Sequence, residues 1–328
     1  MFFLQHVWAR TGVSAMLLSP LSLLFSAIAA IRRLAYCRGW VKAVCVGVPV
    51  IIVGNITAGG SGKTPLVIWL VNWLRAQGYR PGVVSRGYGG SARGCVEVQP
   101  DSLAAEVGDE PLLIRIKTNA PVVVGRDRVA AARALIAHHQ VDLIIADDGL
   151  QHYRLHRDLE LAVIDAATGL GNGWLLPAGP LRESPARLRS VDAVIQVVRG
   201  APPPSNNLPV PTWRADYAAG RAYRLRAPQE KVALDDLPSC DWLAITGIGY
   251  PQGFFNMLQA RGVRFSPRAF ADHHAFKKED LPADGAVLMT EKDAVKCTGF
   301  AGSDWWAVEL DVSPETGFID WLDARIKQ

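Results

Sequence analysis

Cysteine is scarce and poorly placed for chemistry. Cys37, Cys45, Cys95, Cys240 and Cys297 are odd in number, scattered and free of C-x-x-C spacing. That pattern excludes a disulfide framework and a thiolate zinc site, and it suits a reducing cytoplasm. Charge of one sign is also scarce. A net charge of +4 over 328 residues gives no case for nucleic-acid binding. No internal repeat is visible, and no charged residue occurs from Thr11 to Ile31.

What is present is apolar and long. The chain is 49% apolar and 20% charged, enough for two domains with cores of their own. The uncharged stretch "TGVSAMLLSPLSLLFSAIAAI" approaches the length of a bilayer span, with Pro20 and several serines inside it. Arg10 precedes it, and Arg32, Arg33, Arg38 and Lys42 follow. The charges lie more heavily after the run, and no small-residue cleavage site precedes them, so a cleaved signal peptide is disfavoured. The reading is a helix over residues 1–34 that lies on the membrane or dips into one leaflet. Its basic flank would sit on anionic headgroups, with the rest of the chain cytoplasmic.

The first chemical motif is "GGSGKTP". It follows the apolar run "VPVIIVGNI" and precedes the helical pattern "PLVIWLVNWLRAQG". Strand, glycine-rich turn and helix opened by Lys-Thr make a phosphate-binding loop. Glycine lets successive N–H groups face phosphate oxygens. The expected cradle is Thr57, Ala58, Gly59, Gly60, Ser61, Gly62, Lys63 and Thr64. Lys63 reaches the outer phosphates of the nucleotide, and the Thr64 hydroxyl ligates Mg²⁺. The usual spacing puts glycine at position 57, where this chain has threonine.

Further strands alternate with helices through "YRPGVVSRGYGG", "VVVGRDR", "VDLIIADDGLQH", "LELAVIDA" and "VDAVIQVV". That alternation predicts a parallel sheet covered on both faces. The expected fold is α/β: a P-loop NTPase-like core over 35–200 and a smaller α/β domain over 226–328. The proline-rich "RGAPPPSNNLPVPTW" marks a linker at about 201–225 between them.

Asp147 and Asp148 end a buried strand beside the loop, where a metal-holding carboxylate is needed. Asp109 and Glu110 of "GDEP" precede a helical pattern and, on the residues alone, read as helix-capping acids. "ADHHAF" places His273 and His274 beside Asp272, a combination able to act as a tuned base. Arg86, Arg126, Arg128 and Arg182 follow strand ends, where guanidinium forks suit a second anionic ligand.

Taken in order, "GNITAGGSGKTP", "SRGYGG", "GDEP", "VVVGRDR", "ADDGLQH", "RDLELAVID", "LPAGPLRE", "ADHHAF" and "MTEKDAVK" resemble the tetraacyldisaccharide 4'-kinases. These are the lipid A 4'-kinases of Gram-negative bacteria, and the likeness runs through nearly the whole chain. It implies an ATP- and Mg²⁺-dependent transferase of lipopolysaccharide biosynthesis. Such an enzyme phosphorylates the 4'-hydroxyl of a tetraacylated glucosamine disaccharide 1-phosphate to give lipid IVA. It implies a catalytic dyad of Asp109 and His273, which replaces the capping role for Asp109, and a phosphate or transition-state contact at Arg182. It implies a metal shell of Thr64 with Asp147 or Asp148, with Glu183, Gln151 and His152 nearby. The partners implied are the lipid substrate and the cytoplasmic face of the inner membrane, with neither nucleic acid nor an obligate protein partner. Three other readings compete, one of them a nucleotide-binding scaffold without catalysis, which would have no use for Asp109, His273 and the arginines together. A partitioning-type switch ATPase would carry lysine where this chain has Ala58. A soluble metabolite kinase would leave the greasy N-terminus as core.

Overall fold

Residues 8, 12–200, 210–282 and 285–327 are described by a computed structural model of the chain. Their elements run α1 (Val13–Cys37), β1 (Val50–Gly54), α2 (Lys63–Ala76), β2 (Pro81–Ser85), β3 (Cys95–Glu97), α3 (Ala104–Val107), α4 (Asp109–Thr118), β4 (Val122–Gly125), α5 (Arg128–His138) and β5 (Leu143–Asp147). Then follow β6 (Leu159–Asp165), β7 (Ala193–Val198), β8 (Thr212–Arg224), β9 (Ala227–Ala233), β10 (Trp242–Thr246), α6 (Pro251–Ala260), β11 (Phe265–Ala269), β12 (Val287–Thr290), α7 (Glu291–Cys297), β13 (Trp305–Pro314) and α8 (Thr316–Ile326).

All of these strands join one sheet, ordered β11-β10-β12-β13-β8-β7-β6-β1-β5-β2-β4-β3, with β9 added beside β8. Two parallel blocks make it up. One runs from β8 through β7, β6, β1, β5 and β2 to β4. The other contains β11, β10, β12 and β13. They meet at a single antiparallel seam, where β13 pairs with β8 from Trp306↔Arg224 to Pro314↔Ala215.

The central strands read as unbroken apolar runs because both faces are covered. Every residue of β1 and of β5 is buried. On one face Leu66, Leu70 and Leu74 of α2 pack with Ile114, Phe318 and Leu322. On the other, Ile52 and Ile144 pack with Leu135 and Leu181. Each such side chain contributes roughly 1.5–3 kcal/mol on burial. The second block has its own core around Trp242, Phe254, Leu258 and Trp306 on one face and Met289, Phe276 and Trp305 on the other.

The linker expectation needs correction over its second half. Residues 201–209 lie outside the described residues, but Thr212–Arg224 is strand β8, the seam itself. Proline-rich composition signals a break only up to Pro211. Beyond it "TWRADYAAGRAYR" carries strand-forming residues that pair on both edges.

Helix α1 is the one described helix long and apolar enough to cross a membrane. It touches the rest of the chain along a narrow stripe. Ser22 Oγ donates to Leu175 O at 2.9 Å and accepts from Ala178 N at 3.0 Å, with Ala15 buried alongside. Leu17 and Leu23 remain 76% and 72% exposed, so most of its apolar surface is uncovered by protein. Pro20 removes the backbone donor that Met16 O would receive, and the Ser19 hydroxyl donates to that oxygen instead at 2.7 Å.

Candidate active site

The phosphate loop leaves β1 at Gly54 and enters α2 at Lys63. Buried Asn55 ties its two limbs, donating from Nδ2 to Thr57 Oγ1 at 3.2 Å and to Ser61 Oγ at 3.0 Å. Ala58 N donates to Pro180 O at 2.7 Å. Thr57 is not among the non-glycine residues with positive φ and bridges to Leu181, so this loop has no need of glycine there. Gly62 has φ +84° and stands as the N-cap of α2. The first amides of α2 are therefore free to face an anion, and Pro65 in the first turn forfeits nothing. Tyr217 of β8 holds the turn from behind, its hydroxyl donating to Gly62 O at 2.7 Å.

The two aspartates at the end of β5 lie in opposite electrostatic settings. Asp148 is clamped between cations: Arg182 Nη1 reaches its two oxygens at 2.9 and 3.0 Å, and Lys63 Nζ lies 3.5 Å away. Burial opposes ionisation of Asp148, but Lys63 and Arg182 outweigh it and hold its carboxyl well below the usual range. Asp147 is fully buried. Ser85 Oγ donates to its Oδ2 at 3.1 Å, while Oδ1 has no partner among the described residues. Burial first, then the charges of Glu110 and Asp148, push Asp147 up to about 7. An unpartnered carboxylate oxygen next to Asp148, in a setting where added positive charge would favour ionisation, is a donor that fits a divalent cation.

The opposite wall comes from the second block. The loop after β11 carries His273 in a left-handed conformation, φ +58°. Its Nδ1 lies 3.0 and 3.1 Å from the two oxygens of Asp109, the first residue of α4. Asp109 is buried, which raises its pKa. The His273 hydrogen bond and the Lys292 and Lys296 ammonium groups overcome that, and the net shift is downward. Tyr88, from the loop after β2, lays its ring against His273 at 4.9 Å between centroids. His274 turns away, to Asp280 Oδ2 at 3.0 Å and the Phe270 ring. Of the two adjacent histidines, His273 is the one that meets Asp109.

A cavity of about 300 Å³ joins these parts, lined by the loop, Glu110, Asp148, Arg182, His273 and Lys292 among others. Of the expected site residues, Ala58 to Thr64, Asp148, Arg182 and His273 line it; Asp109 meets it through His273, and Asp147 is buried next to Asp148. Glu183 is not free for a metal: Gln151 donates to it at 2.9 Å, Tyr153 hydrogen-bonds it, and Arg187 lies 3.9 Å away. Gln151 instead braces Arg182 from 3.4 Å. His152 is held down to about 4 by burial and by Arg128. Arg86 and Arg126 are exposed, while Arg128 is buried and donates to Gly125 O at 3.0 Å. Sequence reasoning missed Tyr88, Lys292 and Arg199. Lys292 left a signal in the charged turn of "TEKD" after a strand, and Tyr88 one in "SRGYGG"; Arg199 left none.

Comparison with known proteins finds relatives along nearly the whole chain. A family model described as tetraacyldisaccharide-1-P 4'-kinase matches residues 14–327. A protein of Thiobacillus denitrificans called tetraacyldisaccharide 4'-kinase is 66% identical over 327 residues, covering 99% of each chain. Another of that name, from Methylobacillus flagellatus, is 45% identical over 99% of this chain and 96% of its own. The crystal structure of LpxK from Aquifex aeolicus in complex with ATP superposes with a TM-score of 0.83. It is 28% identical and covers 95% of this chain and 98% of that one.

Proposed function

The chain belongs to the tetraacyldisaccharide-1-P 4'-kinase family, and from that premise we propose how its own residues perform the transfer. It is a kinase of lipid A biosynthesis that uses ATP to phosphorylate the 4'-hydroxyl of tetraacyldisaccharide 1-phosphate. The observation that carries the residue assignment is the Asp109–His273 contact, set in the same cavity as Lys63 and the phosphate loop.

The amides of Gly60–Thr64 and the Lys63 ammonium hold the β- and γ-phosphates. Lys63 then exchanges its contact with Asp148 for phosphate oxygen. Thr64 and Asp147 would hold Mg²⁺, whose charge, when bound, offsets that of the phosphates. Arg182 is aimed by Asp148 and Gln151 at the charge that develops on the transferring group. A sugar hydroxyl is a poor acid, and the Asp109–His273 pair takes up its proton as the bond to phosphorus forms. Asp109 is ready because its partners keep it ionised.

The two parallel blocks serve as lobes, with β8 belonging to the first and α8 returning to pack on it, and the dyad draws one residue from each. The exposed apolar face of α1 seats in the inner leaflet of the inner membrane from the cytoplasmic side. Arg32, Arg33, Arg38 and Lys42 rest at headgroup level, where a tetraacylated substrate presents its sugars.

The test is transfer itself. The purified protein, Mg²⁺, γ-labelled ATP and a tetraacyl disaccharide 1-phosphate in detergent should give labelled lipid, and Asp109→Asn should abolish the label. Labelled lipid at an unchanged rate in Asp109→Asn would remove the dyad from the mechanism. Equal turnover of a delipidated disaccharide would overturn the membrane reading.

A further inference from the structure

Lys292 is the second residue of α7, in a stretch that neither the phosphate loop nor the dyad requires. Its backbone is fixed, because Thr290 caps the helix by accepting from Asp293 N at 3.2 Å. Its Nζ lies 2.9 Å from Glu110 Oε1, 3.4 Å from His273 Nε2 and 3.9 Å from Asp272 Oδ1. An ammonium has three donors and no acceptor. Nε2 of His273 can therefore meet it only as an acceptor. Across the ring, Nδ1 faces a carboxylate, which when ionised can only accept. Nδ1 must then carry the ring proton. The other tautomer would turn an Nε2–H toward an ammonium and a lone pair toward a carboxylate, both repulsive.

Resting on the dyad reading above, we propose that Lys292 is a positioning residue that locks His273 in its Nδ1–H tautomer, with that proton donated to Asp109. The chain of contacts is Lys292 Nζ to Nε2, then Nδ1–H to Asp109. It fixes the ring's rotation and leaves the carboxylate as the proton-accepting end. Asp272 Oδ1 also lies 3.8 Å from Nε2, beyond hydrogen-bond reach, so the nearer Lys292 Nζ at 3.4 Å sets the polarity on that side. Glu110 of α4 and Asp272 of the β11 loop balance Lys292, and Lys296 of α7 lies 3.7 Å from Asp109 Oδ2 while pairing with Asp293 at 2.8 Å. Tyr88 adds a ring face and no competing charge at the imidazole. The positive charge of Lys292 also helps to keep Asp109 ionised, alongside the His273 hydrogen bond.

The direct test is nitrogen NMR of the full-length, histidine-labelled protein in detergent, with the His273 ring assigned by its loss in His273→Gln. Protonation at Nδ1 with an unprotonated Nε2 is expected, and the reverse pattern overturns the proposal. The companion variant is Lys292→Met with Glu110→Gln, so that Glu110 is not left as an unpaired carboxylate. It should lose the tautomer preference and lower kcat by about tenfold or more. In Lys292→Met alone, the acidic limb of the kcat profile should move to higher pH, while Lys292→Arg keeps the limb in place. A raised KM for ATP with kcat, limb and tautomer unchanged would make Lys292 a phosphate contact and overturn the proposal. If that variant does not fold, the wild-type spectrum still decides. Normal turnover in Asp109→Asn beside the expected tautomer would sink the dyad reading and spare the tautomer assignment.

Discussion

His273 Nδ1 lies 3.0 Å from Asp109 Oδ2, although 164 residues separate them along the chain. Asp109 starts a helix of the first parallel block, and His273 sits on a loop of the second. His273 lines the same cavity as the phosphate loop. The proposed catalytic pair therefore depends on how the blocks are joined at β8 and β13.

Asp109→Asn keeps the shape and removes the charge. We expect kcat to fall by about 10²- to 10⁴-fold, the usual worth of a positioned base, with ATP affinity nearly unchanged. Steady-state rates with a separate nucleotide-binding titration check this. A matching loss of ATP binding would show a structural effect instead.

The same carboxyl has a stability signature. Its pKa in the folded chain is depressed, so its contribution is complete above the ordinary aspartate value of about 4 and is lost as pH falls through the lower folded value. Asp109→Asn should therefore lower Tm at neutral pH, and the gap to wild type should close on acidification. Melting curves across the acidic range test it, and a gap independent of pH would reject the linkage.

Lys63→Met removes the ammonium that rests on Asp148 and, in the proposed complex, on phosphate. A charge-assisted contact is worth about 1.5–3 kcal/mol, so ATP should bind roughly 10- to 100-fold more weakly. Calorimetric titration with ATP measures it directly.

Gly62→Ala asks an alanine to adopt φ +84°, with a new Cβ 2.9 Å from Arg199 Nη2 and 3.0 Å from Tyr217 Cε2. The left-handed conformation alone costs roughly 1–2 kcal/mol. Chemical denaturation should show at least that loss, together with weaker ATP binding. Wild-type stability would mean that the turn relaxes to another conformation.

Removal of residues 1–33 should shift the protein from vesicles to solution, because most of the exposed apolar surface of α1 goes with it. Flotation with anionic vesicles reads this out. Retained binding would place the anchor elsewhere.

The sequence by itself determined the phosphate loop, the strand that ends in Asp147 and Asp148, and the apolar character of α1. Each is a local pattern: apolar runs, glycine at a turn, charge placed at a strand end. Composition also marked the break after Gly200, but it could not reveal that Thr212–Arg224 joins the two blocks as a strand, since that depends on the partner edges. Only the tertiary structure decided which aspartate stands unpartnered, which of two adjacent histidines meets Asp109, and that Glu183 is spent on Gln151, Tyr153 and Arg187. Those outcomes turn on distances of a few ångströms between residues far apart in sequence. Coulombic and hydrogen-bond energies change steeply over that range, and chain order says nothing of it.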